Sequence, residues 1–406
     1  MGARRVAVTG LGVICALGHN TANTWDAICE GKPGIAPIHS VDLSRLRFQN
    51  GAQVRGYDSG KYFEASRADM LDRFAQFALI AAREALQSSG IELTPELREM
   101  TAVVTGSCMG GQSTQDAQFV ELYEKALNRV HPRTIPRTMA NAGASQISME
   151  FGITGPAFTV STACSSANHA IGQAFWMVRE GSAELAIAGG SEAPFSLGLL
   201  KAWEAMRVVS PDTCRPFSKD RRGLILGEGG AMLVLEPLDA AQARGATIYA
   251  EVVGFGMSSD AHHITQPSVE GPVRAMRAAL RDAGFLPEQI GYINAHGTGT
   301  PTNDLTETRA IRELFADHAD RLAVSSTKSL HGHALGAAGA IEAVCTVLAL
   351  REGLLPPTVN FTTLDPECDL DVVPNRARPA QVECALSNSF AFGGLNAVLA
   401  FRAHGD

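Results

Sequence analysis

Ten short runs rich in Val, Ile and Ala recur along the chain, apolar at successive rather than alternate positions, and they constrain the fold more than any other feature. Alternation marks a strand with one wet face, whereas unbroken apolarity marks a strand covered on both. The runs are Arg5–Thr9, Thr101–Thr105, Ala157–Ser161, Leu185–Ala188, Ala231–Leu235, Ala250–Gly254, Gly291–Asn294, Ala323–Ser326, Cys384–Asn388 and Ala397–Phe401. Helical periodicity is clearest at Asp72–Ser89, Ser166–Glu180, Pro272–Ala283, Leu305–Phe315 and Ala340–Glu352, and the helices are expected to end at glycines, Gly90, Gly181, Gly284 and Gly353. A glycine there closes a helix in the left-handed conformation. Strands alternating with helices predict a layered α/β fold. The last two runs, joined through Phe390-Ala391-Phe392-Gly393-Gly394, predict an antiparallel hairpin with a glycine-rich tip. A seam near Gly245 divides the chain into 1–245 and 246–406, each containing strand, loop and helix in that order.

Composition narrows the function. With 34 Lys and Arg against 42 Asp and Glu, the net charge is −8, and general nucleic-acid binding needs the opposite balance. No run approaches the ~20 apolar residues of a membrane span. The apolar stretch after Arg4-Arg5 is broken by Gly10, Gly12 and Gly18 and reads as a first strand, not a signal peptide. Eight cysteines without a CxxC pair predict reduced thiols and a cytoplasmic setting. Many of the 40 glycines sit in pairs between apolar runs, as tight turns at strand ends require.

Three motifs stand at such ends. Cys164 lies where the run Ala157–Ser161 enters a helix, so its thiol faces the free N–H groups and positive end of that helix. Both favour thiolate, which makes Cys164 a candidate nucleophile at neutral pH. His296 lies in Asn294-Ala295-His296-Gly297-Thr298-Gly299-Thr300, where glycines let the backbone approach a ligand and Thr298 and Thr300 offer hydroxyls to a polar substrate tail. A third run ends at Lys328, with His333 ahead of a helix. One histidine in a loop is commonly structural; two at strand ends, with a cysteine at a strand–helix junction, make a constellation with a chemical purpose.

Cys164, His296, Lys328 and His333 together resemble the β-ketoacyl-acyl-carrier-protein synthase family of the thiolase superfamily, with the synthase II type of bacterial fatty acid synthesis as the nearest look-alike. The resemblance runs nearly end to end. It includes Arg5-Val6-Ala7-Val8-Thr9-Gly10-Leu11-Gly12, Thr162-Ala163-Cys164-Ser165-Ser166, Gly189-Gly190-Ser191-Glu192 and Arg215-Pro216-Phe217. It continues through Ala295–Thr300, Lys328–His333 and Asn388–Gly394. It implies a five-layered αβαβα fold of two related halves, a homodimer and an acyltransferase without cofactor. Cys164 would take an acyl group from an acyl-carrier protein, and His296 and His333 would stabilise the enolate left when a malonyl thioester loses CO2. The N–H groups of Cys164 and Phe392 would hold the oxyanion of the condensation step.

Further positions carry family roles by the same resemblance. Lys328 would orient His333 and a carboxylate, for which Glu307 is the matching residue. Phe392 is the gating phenylalanine and Phe390 backs it, with Ala391 and Leu395 standing where Gly and Thr are usual. Met109, with Cys108, falls where the acyl pocket is lined. Arg133 and Arg207 match positions for carrier-protein docking, whereas Asp69 and Met70 stand where basic residues are usual. Asn294, Glu342, Ser387 and Asn388 match a cluster that holds a structural monovalent cation in some relatives; no metal is required for the chemistry. A thiolase would need a second cysteine at the tip that reads Phe392-Gly393-Gly394, and a chain-length-factor partner subunit would lack Cys164. Two histidines disfavour an enzyme acting on coenzyme A thioesters, which pairs its Cys with His and Asn. Fatty acid elongation is the leading expectation, and a dedicated polyketide, polyene or nodulation-signal pathway is the alternative.

Overall fold

The computed structural model describes residues 3–405. All ten expected strands form, and they join in one mixed sheet: β1 Val6–Cys15, β2 Thr101–Gly106, β3 Ala157–Val160, β4 Leu185–Glu192, β5 Gly229–Pro237, β6 Ala250–Ser259, β7 Tyr292–Asn294, β8 Ala323–Ser325, β9 Cys384–Ala391 and β10 Leu395–Arg402. The order across it is β3-β2-β4-β5-β1-β6-β10-β9-β7-β8. Counted inward from either edge, both halves run third, second, fourth, fifth, first. Each has three parallel strands at its outer side (β3-β2-β4 and β8-β7-β9) followed by two antiparallel ones. β1 and β6 join the halves through a short antiparallel ladder, Val6–Val8 against Ala250–Val252.

Seven helices cover the sheet: α1 Arg73–Ser89, α2 Ala142–Phe151, α3 Ser166–Glu180, α4 Leu197–Met206, α5 Glu270–Ala283, α6 Pro301–Phe315 and α7 Ala338–Glu352. The apolar clusters define the layers. Val103, Ile187, Met232 and Val234 pack outward on α1 and α2, while the alternate positions Val104, Ala186 and Leu233 pack inward on α3 and α7. In the other half Ile293, Val324, Leu386 and Val398 pack outward on α5 and α6, and Ala385, Ala397 and Leu399 pack inward on the same central pair. Because the two halves of the continuous sheet both pack inward on the central helix pair, the layers run helix, half-sheet, helix, half-sheet, helix: the five-layered fold of two related halves. α7 is buried along its length from Ala338 to Leu350, as its sequence AGAIEAVCTVLAL, apolar on every side but for Glu342 and Thr346, requires.

The halves repeat one packing device. Gly10 and Gly12 of β1 press against α1, where a Cβ would stand 2.1 Å from the Ala85 carbonyl oxygen and 2.0 Å from that of Ala81. Gly254 and Gly256 of β6 press against α5 in the same way, with Ala279 and Ala275 carbonyls at 2.5 and 2.2 Å.

Some expectations need correction. β1 extends to Cys15 because a bulge between Val8 and Gly10 lets it follow β5 past the glycines. β3 is not covered on both faces: Ala157 and Phe158 are exposed, because β3 is an open edge of the sheet. α6 ends at Ala316 with φ +46, without a glycine. Helices Thr21–Cys29, Gln112–Tyr123, α2 and α4 also form. No helix among the described residues is long and apolar enough to cross a membrane.

Candidate active site

In α/β sheets, ligands gather outside the carboxyl ends of parallel strands, and here both sets of ends meet at one cavity. Cys164, His296, His333, Thr298, Thr300, Phe390 and Phe392 all line it. Cys164 follows β3 through Ala163, held at φ +50, and sits just ahead of α3. This left-handed turn is strained for a residue with a Cβ, and such strain concentrates where a side chain must be presented. The site does not hold a thiolate, contrary to expectation. Cys164 is only 7% exposed, and burial pushes its thiol up to about 12 against the pull of the Lys328 charge and of its own backbone N–H. Desolvation outweighs the helix terminus, so the resting thiol carries its proton.

Two imidazoles share the cavity with it. His296 and His333 are nearly fully buried, their rings perpendicular with centroids 5.4 Å apart. Burial first, then the Lys328 charge, holds both well below the ordinary histidine range, so both are neutral at pH 7. The Lys328 Nζ lies 3.4 Å from His296 Nδ1. An ammonium can only donate, so Nδ1 accepts and His296 carries its proton on Nε2. The His333 backbone N–H donates to the Ile225 carbonyl at 2.6 Å.

Two buried carboxylates divide the work expected of one. Lys328, with no exposed surface, pairs with Glu342 of α7 and not with Glu307, and the histidine it touches is His296 rather than His333. Glu307 lies on α6 and accepts the backbone N–H groups of His296 at 2.9 Å and Gly297 at 2.8 Å, with Asn388 Nδ2 at 3.2 Å. It fixes the His296 loop, and burial raises its carboxyl to about 7 despite those bonds. The expected cation cluster also divides. Asn294 and Ser387 stand side by side in parallel register, and Asn294 Nδ2 reaches the Glu342 carbonyl at 3.4 Å. Asn388, one residue along β9, turns its side chain to the opposite face, toward Glu307 and Met276. Asn294 Oδ1, Glu342 Oε2 and Ser387 Oγ are buried without a hydrogen-bond partner among the described residues. Such hard oxygen donors suit a monovalent cation.

Other expected residues fall in different places. Thr298 and Thr300 share a 2.8 Å hydrogen bond in the cavity wall. Met109 does not line the cavity; it is 36% exposed. Glu192 accepts the N–H groups of Cys108 at 2.8 Å and Met109 at 3.2 Å and fixes the turn in this loop. Cys108 also stays off the cavity, packed against the apolar cluster of Leu200, Leu224 and Leu335. Arg133 and Arg207 are exposed, Arg207 capping α4 at φ +57 and Arg133 paired with Asp69 at 3.1 Å.

The hairpin tip is three residues, Phe392 to Gly394, since Ala391 already pairs with Leu395. Its glycines take φ +83 and +67. The sequence reading missed what holds it. The Gly393 N–H donates to the Ile264 carbonyl at 2.7 Å, the Asp260 N–H to the Gly394 carbonyl at 2.9 Å, and Asn396 Nδ2 to Asp260 Oδ1 at 2.7 Å. Asp260, His263–Pro267 and Trp203 all line the cavity. The polar segment Asp260–Pro267 follows the end of β6, and the strand-end rule that found His296 points to it equally.

Comparison with known proteins matches residues 3–241 to the family model of the β-ketoacyl synthase N-terminal domain and 249–362 to that of its C-terminal domain. The chain is 47% identical to nodulation protein E of Rhizobium sp. (strain N33), over 98% of this chain and 99% of that one. It is 40% identical to 3-oxoacyl-[acyl-carrier-protein] synthase 2 of Staphylococcus aureus (strain COL), over 98% of each. The solved structure of the ishigamide ketosynthase/chain length factor superposes with a TM-score of 0.95 at 36% identity, covering all of both chains.

Proposed function

Because the chain belongs to the β-ketoacyl synthase family, we propose that it joins an acyl group held on Cys164 to the enolate of a malonyl thioester, with both substrates delivered on an acyl-carrier protein. The observation that carries this reading is the meeting of one protonated thiol and two neutral imidazoles in a single cavity. In the first step neutral His333, which keeps a ring nitrogen free to accept, takes the thiol proton while sulfur attacks the acyl thioester, and the proton leaves on the departing carrier thiol. In the second, the malonyl thioester loses CO2 and its oxygen takes up charge. The His296 Nε2–H and a His333 N–H offer hydrogen bonds to that oxygen in a site without bulk water. The enolate carbon then attacks the acyl-Cys164 carbonyl, whose oxygen is held by the N–H groups of Cys164 and Phe392. Expulsion of the Cys164 thiolate and its reprotonation complete the cycle. On this reading residues 1–245 carry the acyl group and 246–406 activate its attacker.

Lys328 fixes the His296 tautomer, Phe392 gates the cavity and Thr298 and Thr300 take the polar arm of the carrier. Asn294, Glu342 and Ser387 would hold a structural monovalent cation, with Asn388 outside the set. Arg133 and Arg207 are the docking residues for the acidic carrier. A homodimer would form on the open edge at β3, where Ala157 and Phe158 are exposed. The higher identity to nodulation protein E, together with Asp69 on Arg133, favours a dedicated fatty acyl pathway as a second reading beside general elongation.

The test is intact-protein mass after incubation with acyl-carrier-protein thioesters of graded length. A single acyl adduct on the wild type, absent in Cys164→Ala, supports the reading. An adduct that persists in Cys164→Ala overturns the nucleophile assignment.

A further inference from the structure

An acyl chain bound to Cys164 has to leave the thiol in an apolar direction. The histidines, Thr298, Thr300 and the polar Asp260–Pro267 segment occupy part of the cavity wall; Trp203, Val208, Leu224 and Phe392 supply an apolar part. Behind that part lies a tight cluster in which Leu200, Leu226 and Leu335 keep 1% of their surface or less. Closely packed side chains of this kind yield only at high cost. Trp203 and Phe392 are different. Both are half-buried, and their rings stack on each other, centroids 6.2 Å apart and planes 24° from parallel. Trp203 also packs against the buried cluster, so one ring touches both the gate and the wall behind it.

The helix that carries this ring is anchored at both ends. At its start the Gly198 N–H donates to Asp116 Oδ2 at 2.9 Å, and at its end Arg207 turns at φ +57 to bring Val208 back to the cavity.

We propose that Trp203 sets which primers are loaded, by filling the apolar side of the cavity and bracing Phe392 until an acyl chain displaces the stack. The proposal rests on the condensing reading above and adds a specificity residue to it. Trp203 touches no reacting atom in that reading. Its loss therefore changes the range of chains accepted and the order of entry and leaves the chemistry intact. Replacing indole by methyl opens space for several more carbons of primer. An aromatic stack of this kind, once lost, raises premature malonyl entry by about fivefold.

The experiment compares wild type, Trp203→Phe, Trp203→Leu and Trp203→Ala by intact mass after exposure to saturated acyl-pantetheine thioesters from short to long. Decarboxylation of malonyl-pantetheine without primer is measured alongside. Trp203→Ala is expected to form Cys164 adducts with primers too long for the wild type and to decarboxylate malonyl-pantetheine severalfold faster. Trp203→Phe, which keeps the stack, is expected to hold the wild-type window. Trp203→Leu, which keeps bulk without the ring, is expected to hold the length limit while losing the brake on decarboxylation, and it keeps the test valid if the alanine variant does not fold. An unchanged length window in folded Trp203→Ala, with Cys164 still acylated, overturns the proposal alone. If no primer acylates wild-type Cys164, the condensing reading itself falls, and this proposal with it.

Discussion

In the first half of the molecule the loop after the second strand is clamped by Glu192, which takes the N–H groups of Cys108 and Met109; in the second half the corresponding loop is clamped by Glu307, which takes those of His296 and Gly297. The device is the same and the residue presented differs: packed Cys108 on one side, a catalytic candidate on the other. The connections after the third strand differ more. In the first half five residues, 161–165, separate β3 from α3 and place Cys164 at the head of a helix. In the second, twelve residues, 326–337, separate β8 from α7 and leave room for Lys328 and His333. The fifth residue of α3 is the buried Ala170 and the fifth of α7 is Glu342, the partner of Lys328. A repeated scaffold thus keeps its packing and its loop clamps, and brings Cys164 from one half and two imidazoles from the other to one cavity by changing loop length and a few side chains.

The largest test of that asymmetry is the ion pair present in only one half. Lys328→Ala leaves Glu342 buried without its cation, and removing one member of a buried pair costs about 3–5 kcal/mol. Urea unfolding is expected to show that loss, and Lys328→Met with Glu342→Leu to recover most of it. A double variant no more stable than Lys328→Ala would place the energy elsewhere.

The histidines come next. His296→Ala and His333→Ala are each expected to slow malonyl decarboxylation by about 100- to 1,000-fold, the usual effect of removing a donor to developing negative charge. Acylation of Cys164 should survive in at least one of them, since one neutral imidazole remains. Single-turnover mass measurements separate the two steps. Acylation lost with decarboxylation intact would reverse the assigned roles.

The clamps can be compared directly. Glu192→Gln and Glu307→Gln each turn one accepting oxygen into a donor facing a buried N–H, at about 1–3 kcal/mol. Both should lower stability, and only Glu307→Gln should also impair decarboxylation, because its loop carries His296. The pH dependence follows from burial of Glu307, which raises its carboxyl from 4.5 to about 7. The folded state then holds this proton more tightly than the unfolded chain. Its contribution to stability is therefore complete below about pH 4.5 and is lost as pH rises to about 7. The stability difference between wild type and Glu307→Gln should change across that window. A constant difference would mean that Glu307 does not titrate there.

Much of this was legible in the residues. Every strand of the sheet was found from its unbroken apolar run, which burial on both faces explains everywhere but at the edge strand β3, and α3 was located from Ser166 to Glu180 because Gly181 ends it in the left-handed region. Cys164 was singled out at a strand–helix junction and His296 and His333 at strand ends beside glycines, and the fold brings all three to one cavity. Three-dimensional partnerships were not legible. Glu307 and Glu342 are both buried acids on helices, and only the packing decides that Lys328 meets the second. The thiol's charge state escaped because a helix terminus is visible in sequence and desolvation is not. The repeated glycine pairs of β1 and β6 were visible, but the equivalence of their roles depends on the helix pressed against each.

The smallest expected effect concerns the surface where a carrier protein would dock. Arg133 is a proposed contact for its acidic face, yet Asp69 already occupies it at 3.1 Å, with His131 Nε2 3.6 Å from the same carboxylate oxygen. Both partners are about half exposed, and such pairs contribute at most ~1 kcal/mol. Asp69→Asn is therefore expected to lower KM for an acidic acyl-carrier protein about threefold, with kcat unchanged. The gain should fade as salt screens the surface. Arg133→Ala should raise KM, and combining the two substitutions should erase the benefit of Asp69→Asn, because that benefit acts through the freed guanidinium. A gain that persists without Arg133 would move the docking site elsewhere on the surface. A fall in KM confined to one carrier protein would show that Asp69 selects among acidic partners, the behaviour expected of an enzyme dedicated to a single pathway.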